Sequence, residues 1–304
     1  MTEMDVPGKW RAAAVAVAAL GVSLLTPFSA RGANAEVEEL QMPAWVTRDG
    51  KRQPLAPGAQ LRSGDTITTG DGSRVLLRLA EGSAIKLGEN ARFELASVEQ
   101  AREGGQQRFN ARLELRQGAF RFTTPPDNKA KRARNIEVKF STFTATVTGT
   151  DLWGKSADGQ EVVALIDGKI SVARGSDAPI VMAEAKTVYI APPDAPARPV
   201  SAITLAQLNA YAQETELKPG AGVASRVGNY KIYAARTPNQ QEAIAVYERL
   251  RDAGYAAAIQ PAVSQGKQIY QVRIAGILTE ADGVAVAIKL RVQLGLQDVH
   301  VSLQ

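Results

Sequence analysis

The 304-residue chain has no cysteine and only one histidine, His300. Without thiols it can form no disulfide, no thiolate zinc site and no cysteine nucleophile. One histidine leaves a Ser–His–Asp triad or a multi-histidine metal centre with almost nothing to build from. Carboxylate-pair chemistry stays open on composition, but no spacing of acidic residues marks a catalytic cleft. The expectation is a non-enzymatic protein with no catalytic residues, no metal and no cofactor. Charge of one sign is not in large excess either: 36 Lys and Arg against 31 Asp and Glu give a net +5. That bias is too mild to imply nucleic acid. What is present is ordinary globular composition, 45% hydrophobic and 22% charged, enough for about two domains with their own cores.

Long apolar runs are missing except at the N-terminus. There Lys9 and Arg11 precede a run from Ala12 to Phe28, interrupted only by Gly21, Ser23, Thr26 and Pro27, and Ala33-Asn34-Ala35 supplies an A-x-A pattern. A positive segment, a short apolar stretch and a small-residue site read as a secretory signal over residues 1–35, cleaved after Ala35. The run is Ala-rich, ends at a proline and falls short of the ~20 predominantly apolar residues of a spanning helix. The expected location is the periplasm, with nothing spanning the membrane after cleavage. Export also removes nucleic acid as a partner.

Residues 36–193 show short period-two segments between glycine turns. Val75, Leu77 and Leu79 alternate with Arg74, Leu76 and Arg78, and Leu113 and Leu115 with Arg112, Glu114 and Arg116. Phe120 and Phe122 flank Arg121, and Val138 and Phe140 flank Lys139. Such alternation buries one face and wets the other. Gly70-Asp71-Gly72, Glu81-Gly82-Ser83 and Asp167-Gly168 are turn formers. The stretch reads as an all-β sandwich or barrel. The basic run Lys129–Arg134 reads as a solvated loop and Asp151 as a turn residue.

Residues 194–228 form a Pro-rich linker with a short helix around Ile203–Leu217. From 229 to 304 the period changes. Tyr230–Ala235, Ala256–Val263, Gln268–Ile274 and Val299–Leu303 read as strands, with helices over Gln240–Arg251 and Glu280–Leu294. Gly254 is placed to end the first helix and Gln265-Gly266 to turn between the middle strands. The order βαββαβ is the ferredoxin-like α+β arrangement, whose two helices cover one sheet face and leave the other open.

Two resemblances follow from these residues. Tyr230-Lys231-Ile232-Tyr233, the helical series Ala243, Val246, Leu250, Gly254, Tyr255, the strand Tyr270-Gln271-Val272-Arg273-Ile274-Ala275-Gly276 and Leu294-Gly295-Leu296 together resemble the SPOR (sporulation-related repeat) domain. The chain departs from that pattern at Tyr233, where glutamine is usual, and at Ala235 and Thr237, which replace a glycine–phenylalanine pair. Over roughly residues 58 to 175 the chain resembles the FecR domain. The residues are Gly64-Asp65-Thr66-Ile67-Thr68-Thr69-Gly70, Ser73–Leu79, Gly118-Ala119-Phe120, Val147-Thr148-Gly149-Thr150 and Asp167-Gly168-Lys169-Ile170. The FecR resemblance implies an exported β-domain without catalytic residues. Full FecR-type regulators place a cytoplasmic segment ahead of a membrane helix, whereas eleven residues precede the apolar run here, so sigma-factor regulation is not expected.

The SPOR resemblance implies binding of peptidoglycan glycan strands stripped of their peptide stems, as at division septa. Strand parity then points to the residues that would do it. Tyr230 and Ile232 face the helices, and Lys231, Tyr233 and Ala235 face away. On the third strand Tyr270, Val272 and Ile274 face in, leaving Gln271, Arg273 and Ala275 outside. Lys231, Tyr233, Gln271 and Arg273 are the expected glycan-binding residues: a flat ring, hydrogen-bond donors and a charge. An RNA-binding sheet of the same topology would carry aromatics at the positions of Gln271 and Arg273. Envelope or division proteins are the other partners to expect, and a protein–protein adaptor without glycan binding is the alternative reading.

Overall fold

The computed structural model describes residues 34–103, 106–125, 133–157 and 159–303. The expected signal segment and Lys129–Arg132 of the basic run lie outside the described residues. Residues 33–304 form one compact unit.

The first part of this unit is all β. Its strands are β1 (Ala35–Gln41), β2 (Ala44–Arg48), β3 (Lys51–Pro54), β4 (Gln60–Leu61), β5 (Thr66–Thr69), β6 (Arg74–Leu79) and β7 (Ala84–Leu87). They continue with β8 (Arg92–Glu103), β9 (Gln106–Thr123), β10 (Ala133–Lys139), β11 (Thr144–Ala157), β12 (Gln160–Ala173), β13 (Ile180–Met182), β14 (Thr187–Ala191) and β15 (Ser201–Ala202). Three long strands, β9, β11 and β12, change partners along their length. The first half of β9 pairs with β8 and β10, and its second half with β7 and β11. Between the halves Gly118 adopts φ +85. That irregularity explains a parity change visible in the sequence: Leu113 and Leu115 are buried on odd numbers, Phe120 and Phe122 on even ones.

The β core is aromatic at its centre. Phe93, Phe120, Phe140, Phe143 and Tyr189 form a chain of neighbouring rings with centroids 4.3 to 6.0 Å apart, a spacing at which ring packing adds to area burial. Asp151 is not a turn residue. It lies within β11 and takes two hydrogen bonds from Arg121, at 2.9 and 2.7 Å; the paired carboxylate suits the sheet because it neutralises a half-buried guanidinium.

The connector is ordered against the β-domain. Its helix α1 (Leu205–Thr215) starts at a capping box in which Thr204 and Gln207 satisfy each other's backbone donors. Tyr211 stacks on buried Trp153 with centroids 4.0 Å apart, and Lys86 and Arg121 both bond Glu216. Strand β16 (Val223–Ser225) follows.

The last part contains β17 (Tyr230–Thr237), α2 (Gln240–Asp252), β18 (Ala257–Ser264), β19 (Lys267–Ile277), α3 (Glu280–Leu294) and β20 (His300–Leu303). The antiparallel order is β20–β17–β19–β18, the ferredoxin-like arrangement. Local chemistry explains each boundary. Asn239 caps α2, Gly254 at φ +83 ends it, and Gln265-Gly266, at φ +50 and +72, makes the two-residue hairpin turn. Pro261 sits on β18, an edge strand, where its missing N–H costs no ladder bond. Ala243, Leu250, Val286, Ala287 and Leu290 bury the helices against Ile232, Val272 and Ile274.

The two parts share a sheet. Strand β16 pairs with β1 on one side and, through Ala224, with Ile277 of β19 on the other. Buried Asp282, at the start of α3, accepts from the backbone N–H of Gly222 and Val223 at 3.0 and 2.9 Å and from the Thr279 hydroxyl at 2.6 Å. Thr279 in turn caps α3. One carboxylate thus ties the connector, the helix and its cap together.

Candidate functional site

The helices cover one face of the β17–β20 sheet, and the other face is free of them. Register identifies its side chains. Tyr233 is opposite Arg273 of β19 and His300 of β20, while Lys231 is opposite Ser302. Gln271 and Arg273 are opposite Gln260 and Ala258 of β18. Lys231, Tyr233, Gln271 and Arg273 therefore lie on one face of adjacent strands. All four are partly exposed.

Ala235 departs from its expected position. Between Tyr233 and Ala235 the register slips by one residue, so that Ala235 is opposite buried Val272. The extra residue is Ala234, itself 3% exposed. A bulge of this kind inverts the parity of everything beyond it. Arg236, not Ala235, takes the outward position opposite Gln271. Period-two reading assumes an unbroken ladder, so it missed Arg236; two consecutive alanines in a strand are the only local sign. A second slip lies between Tyr230 and Ile232, where β19 carries the extra residue beside Gly276 at φ +77.

The tyrosine organises this face. The His300 ring stacks on Tyr233, centroids 4.9 Å apart and planes 22° from parallel. Lys231 Nζ lies 5.5 Å and Arg236 Cζ 5.6 Å from the Tyr233 centroid, within the range of cation–π attraction. The flat surface is thus a two-ring platform rather than one free tyrosine. The four strands contain no Asp or Glu, but carry Lys231, Arg236, Lys267 and Arg273. Arg273 has no ion pair among the described residues. A sheet face with a ring platform, amides and uncompensated cations can stack on a sugar ring and donate to hydroxyl, carbonyl and carboxylate oxygens.

Among the described residues no group of three or more His, Asp or Glu is placed to hold a metal ion, and no helix is long and apolar enough to cross a membrane.

Comparison with known proteins agrees with this layout. Residues 65–171 match the FecR protein family and residues 227–302 match the SPOR domain. The chain carries a FecR domain followed by a C-terminal SPOR domain, both non-catalytic domain families. The SPOR domain points to peptidoglycan binding and to a place outside the cytoplasm. No curated protein matches the chain. Two crystal structures of a candidate anti-sigma factor from Parabacteroides distasonis are similar at 15% and 14% identity. They cover 78% and 79% of this chain and 97% and 99% of their own, with TM-scores of 0.40 and 0.39.

Proposed function

From a chain with a FecR domain followed by a SPOR domain, we propose that this is a non-catalytic periplasmic protein that holds peptidoglycan glycan strands on the open face of its SPOR sheet. The ligand is glycan from which the peptide stems have been removed, the form concentrated at division septa. Lys231, Tyr233, Gln271 and Arg273 make the contact, with Arg236 and His300 extending it. The FecR domain is the interaction module, and residues 1–35 are the export signal.

The observation that carries this reading is the absence of any carboxylate from the four strands of the sheet. Release of a stem at its amide leaves a lactyl carboxylate on each stripped sugar. A row of such carboxylates suits a face with four cations and no acid to repel it. The aromatic platform supplies the apolar contact that sugar rings need.

The test is a pull-down of residues 33–304 with insoluble sacculi, before and after amidase treatment, beside Arg273→Ala and Tyr233→Ala variants. Binding that rises after amidase and falls in the variants supports the proposal. Folded protein that binds neither preparation overturns it, and leaves the adaptor role.

A further inference from the structure

A second candidate site lies between the FecR domain and the connector. A cleft of about 440 Å³ opens there, walled by the Gly88–Asn90 turn, the Gln117–Ala119 bend of β9, Lys155 of β11 and the end of α1 with Lys218. That volume is within the ~300–1,000 Å³ usual for small-ligand sites. Its shape depends on glycine. A Cβ on Gly88 would meet the Glu214 carbonyl oxygen at 2.7 Å, and one on Gly118 would meet Ala91 at 2.6 Å.

Arg74 lines this cleft with a side chain that is 5% exposed. Its one hydrogen bond among the described residues runs from Nη1 to the Ser73 carbonyl, and Nε has no partner. The nearest carboxylate, Glu89, stands 3.8 Å away and is half exposed, too far for a hydrogen bond. Buried Asp65, by contrast, is held by hydrogen bonds from Arg48 at 2.8 and 2.5 Å. Glu89 compensates Arg74 only as a long ion pair and Nε stays unbonded, so this buried cation at the cleft wall is suited to a further anion. Lys289 of α3 does not line the cleft but is near enough to Arg74 and Asp71 to feel both. Burial lowers its pKa, and Arg74 lowers it further against the pull of Asp71.

The remaining walls say what kind of anion. Asn90, Gln117 and Gln213 present side-chain amides, Lys218 a rim ammonium, and Lys155 is already paired with Glu214 at 3.1 Å. Amides beside a cation fit a carboxylate flanked by amide groups. We propose that this cleft binds such a group, with Arg74 and Lys218 taking the carboxylate and the three amides taking its neighbours. A peptide stem and an N-acetylated muramic disaccharide share that chemistry. The choice of wall fragments as probes rests on the SPOR reading; the cleft itself does not.

The experiment is ¹H–¹⁵N chemical-shift titration of residues 33–304 with two probes separately, a free stem tetrapeptide and the disaccharide of N-acetylglucosamine and N-acetylmuramic acid. Four proteins are compared: wild type, Lys218→Glu, Arg273→Ala and Arg74→Lys. Lys218→Glu changes an exposed rim residue and should leave the fold intact; Arg74→Lys serves as a second, charge-conserving probe of the buried position. The expected result is saturable shifts at Gly88–Asn90 and Gln117–Ala119 with one probe. Its apparent Kd should rise about tenfold in Lys218→Glu and stay unchanged in Arg273→Ala. The responding probe identifies the source of the carboxylate. No saturable shift at these residues with either probe up to ~10 mM, the weak end of specific affinity, overturns the proposal. Shifts confined to the SPOR face also overturn it, while leaving the SPOR reading standing.

Discussion

The FecR and SPOR regions treat their arginines in opposite ways. In the β-domain, several guanidinium groups are matched to carboxylates. Arg48 bonds Asp65, Arg78 bonds Glu38 at 2.9 Å through two nitrogens, and Arg121 bonds Asp151. The Asp151 hydrogen bonds are the first cause that holds the Arg121 pKa above its ordinary value. On the SPOR sheet, Arg236 and Arg273 have no carboxylate on any of the four strands. The paired arginines are spent on holding strands together. The unpaired ones retain their full capacity for a ligand, at the cost of local charge repulsion that solvent screens.

The comparison breaks or sharpens with four measurements. The largest effect is expected where a fully buried carboxylate is paired at short distance. Asp65 is 1% exposed and also accepts from the Arg62 backbone N–H at 2.8 Å. Asp65→Ala should cost about 3–5 kcal/mol in urea denaturation; a loss under about 1 kcal/mol would show that the buried pair is not what holds β2 against the turn before β5.

Next in size is an alkaline effect in the SPOR region. Tyr255 is 1% exposed, its hydroxyl has no hydrogen-bond partner among the described residues, and burial pushes its pKa up to about 12. The neutral phenol is favoured in the folded state, so nothing changes below the unfolded value near pH 10. Between pH 10 and 12 the unfolded chain ionises first, and about 2–3 kcal/mol of stability is lost. Tyr255→Phe should flatten that alkaline limb, read from denaturation midpoints at pH 9 to 12, and leave neutral stability equal or higher.

The third measurement separates the two uses of arginine directly. Arg273→Ala should weaken sacculus binding about tenfold to a hundredfold, the worth of a charge-assisted bond at ~1.5–3 kcal/mol. Its unfolding free energy from urea titration should stay within about 0.5 kcal/mol of wild type. A variant that loses stability in step with binding would place Arg273 among the structural arginines.

The smallest effect concerns Glu161. Burial tends to raise its pKa, but bonds from the Thr142 hydroxyl and the Ser141 and Thr142 backbone N–H groups more than offset this and hold it below its ordinary value. Its stabilisation is therefore present above the unfolded carboxylate pKa and is lost as pH falls through the folded one. Glu161→Gln should cost about 1 kcal/mol at neutral pH and make the acid limb of the stability profile shallower.

Much of this was readable in advance wherever local rules operate. The turn at Gln265-Gly266 needs two residues at positive φ and has a glycine to supply one. The Asn239 and Thr279 caps, the Gly254 stop and the alternation of Tyr270 to Arg273 depend on neighbours within a few positions, which the sequence displays. The outward placement of Lys231, Tyr233, Gln271 and Arg273 followed from that alternation. Arg236 was hidden because a bulge has no counterpart in periodicity. The stacking of His300 on Tyr233 was hidden because it joins residues 67 positions apart, 233 and 300, through the pairing of β17 with β20. Asp151 looked like a turn residue because Gly149 precedes it; its bonds to Arg121 come from another strand.

The sequence by itself determined the element order, the change from period two to helical period near residue 229, the family resemblances and the lack of cysteine beside a single histidine. Those depend on side-chain type and on spacings of a few residues. Only the tertiary structure decided that the connector is part of the folded unit. There Asp282 bonds residues 59 and 60 positions away, and three-residue β16 joins the FecR strands to the SPOR sheet. The buried Arg74 beneath a cleft was decided in the same way. Backbone pairing and charge burial between distant segments leave no periodic trace, because their partners are chosen by the way the chain folds back on itself and not by their order along it.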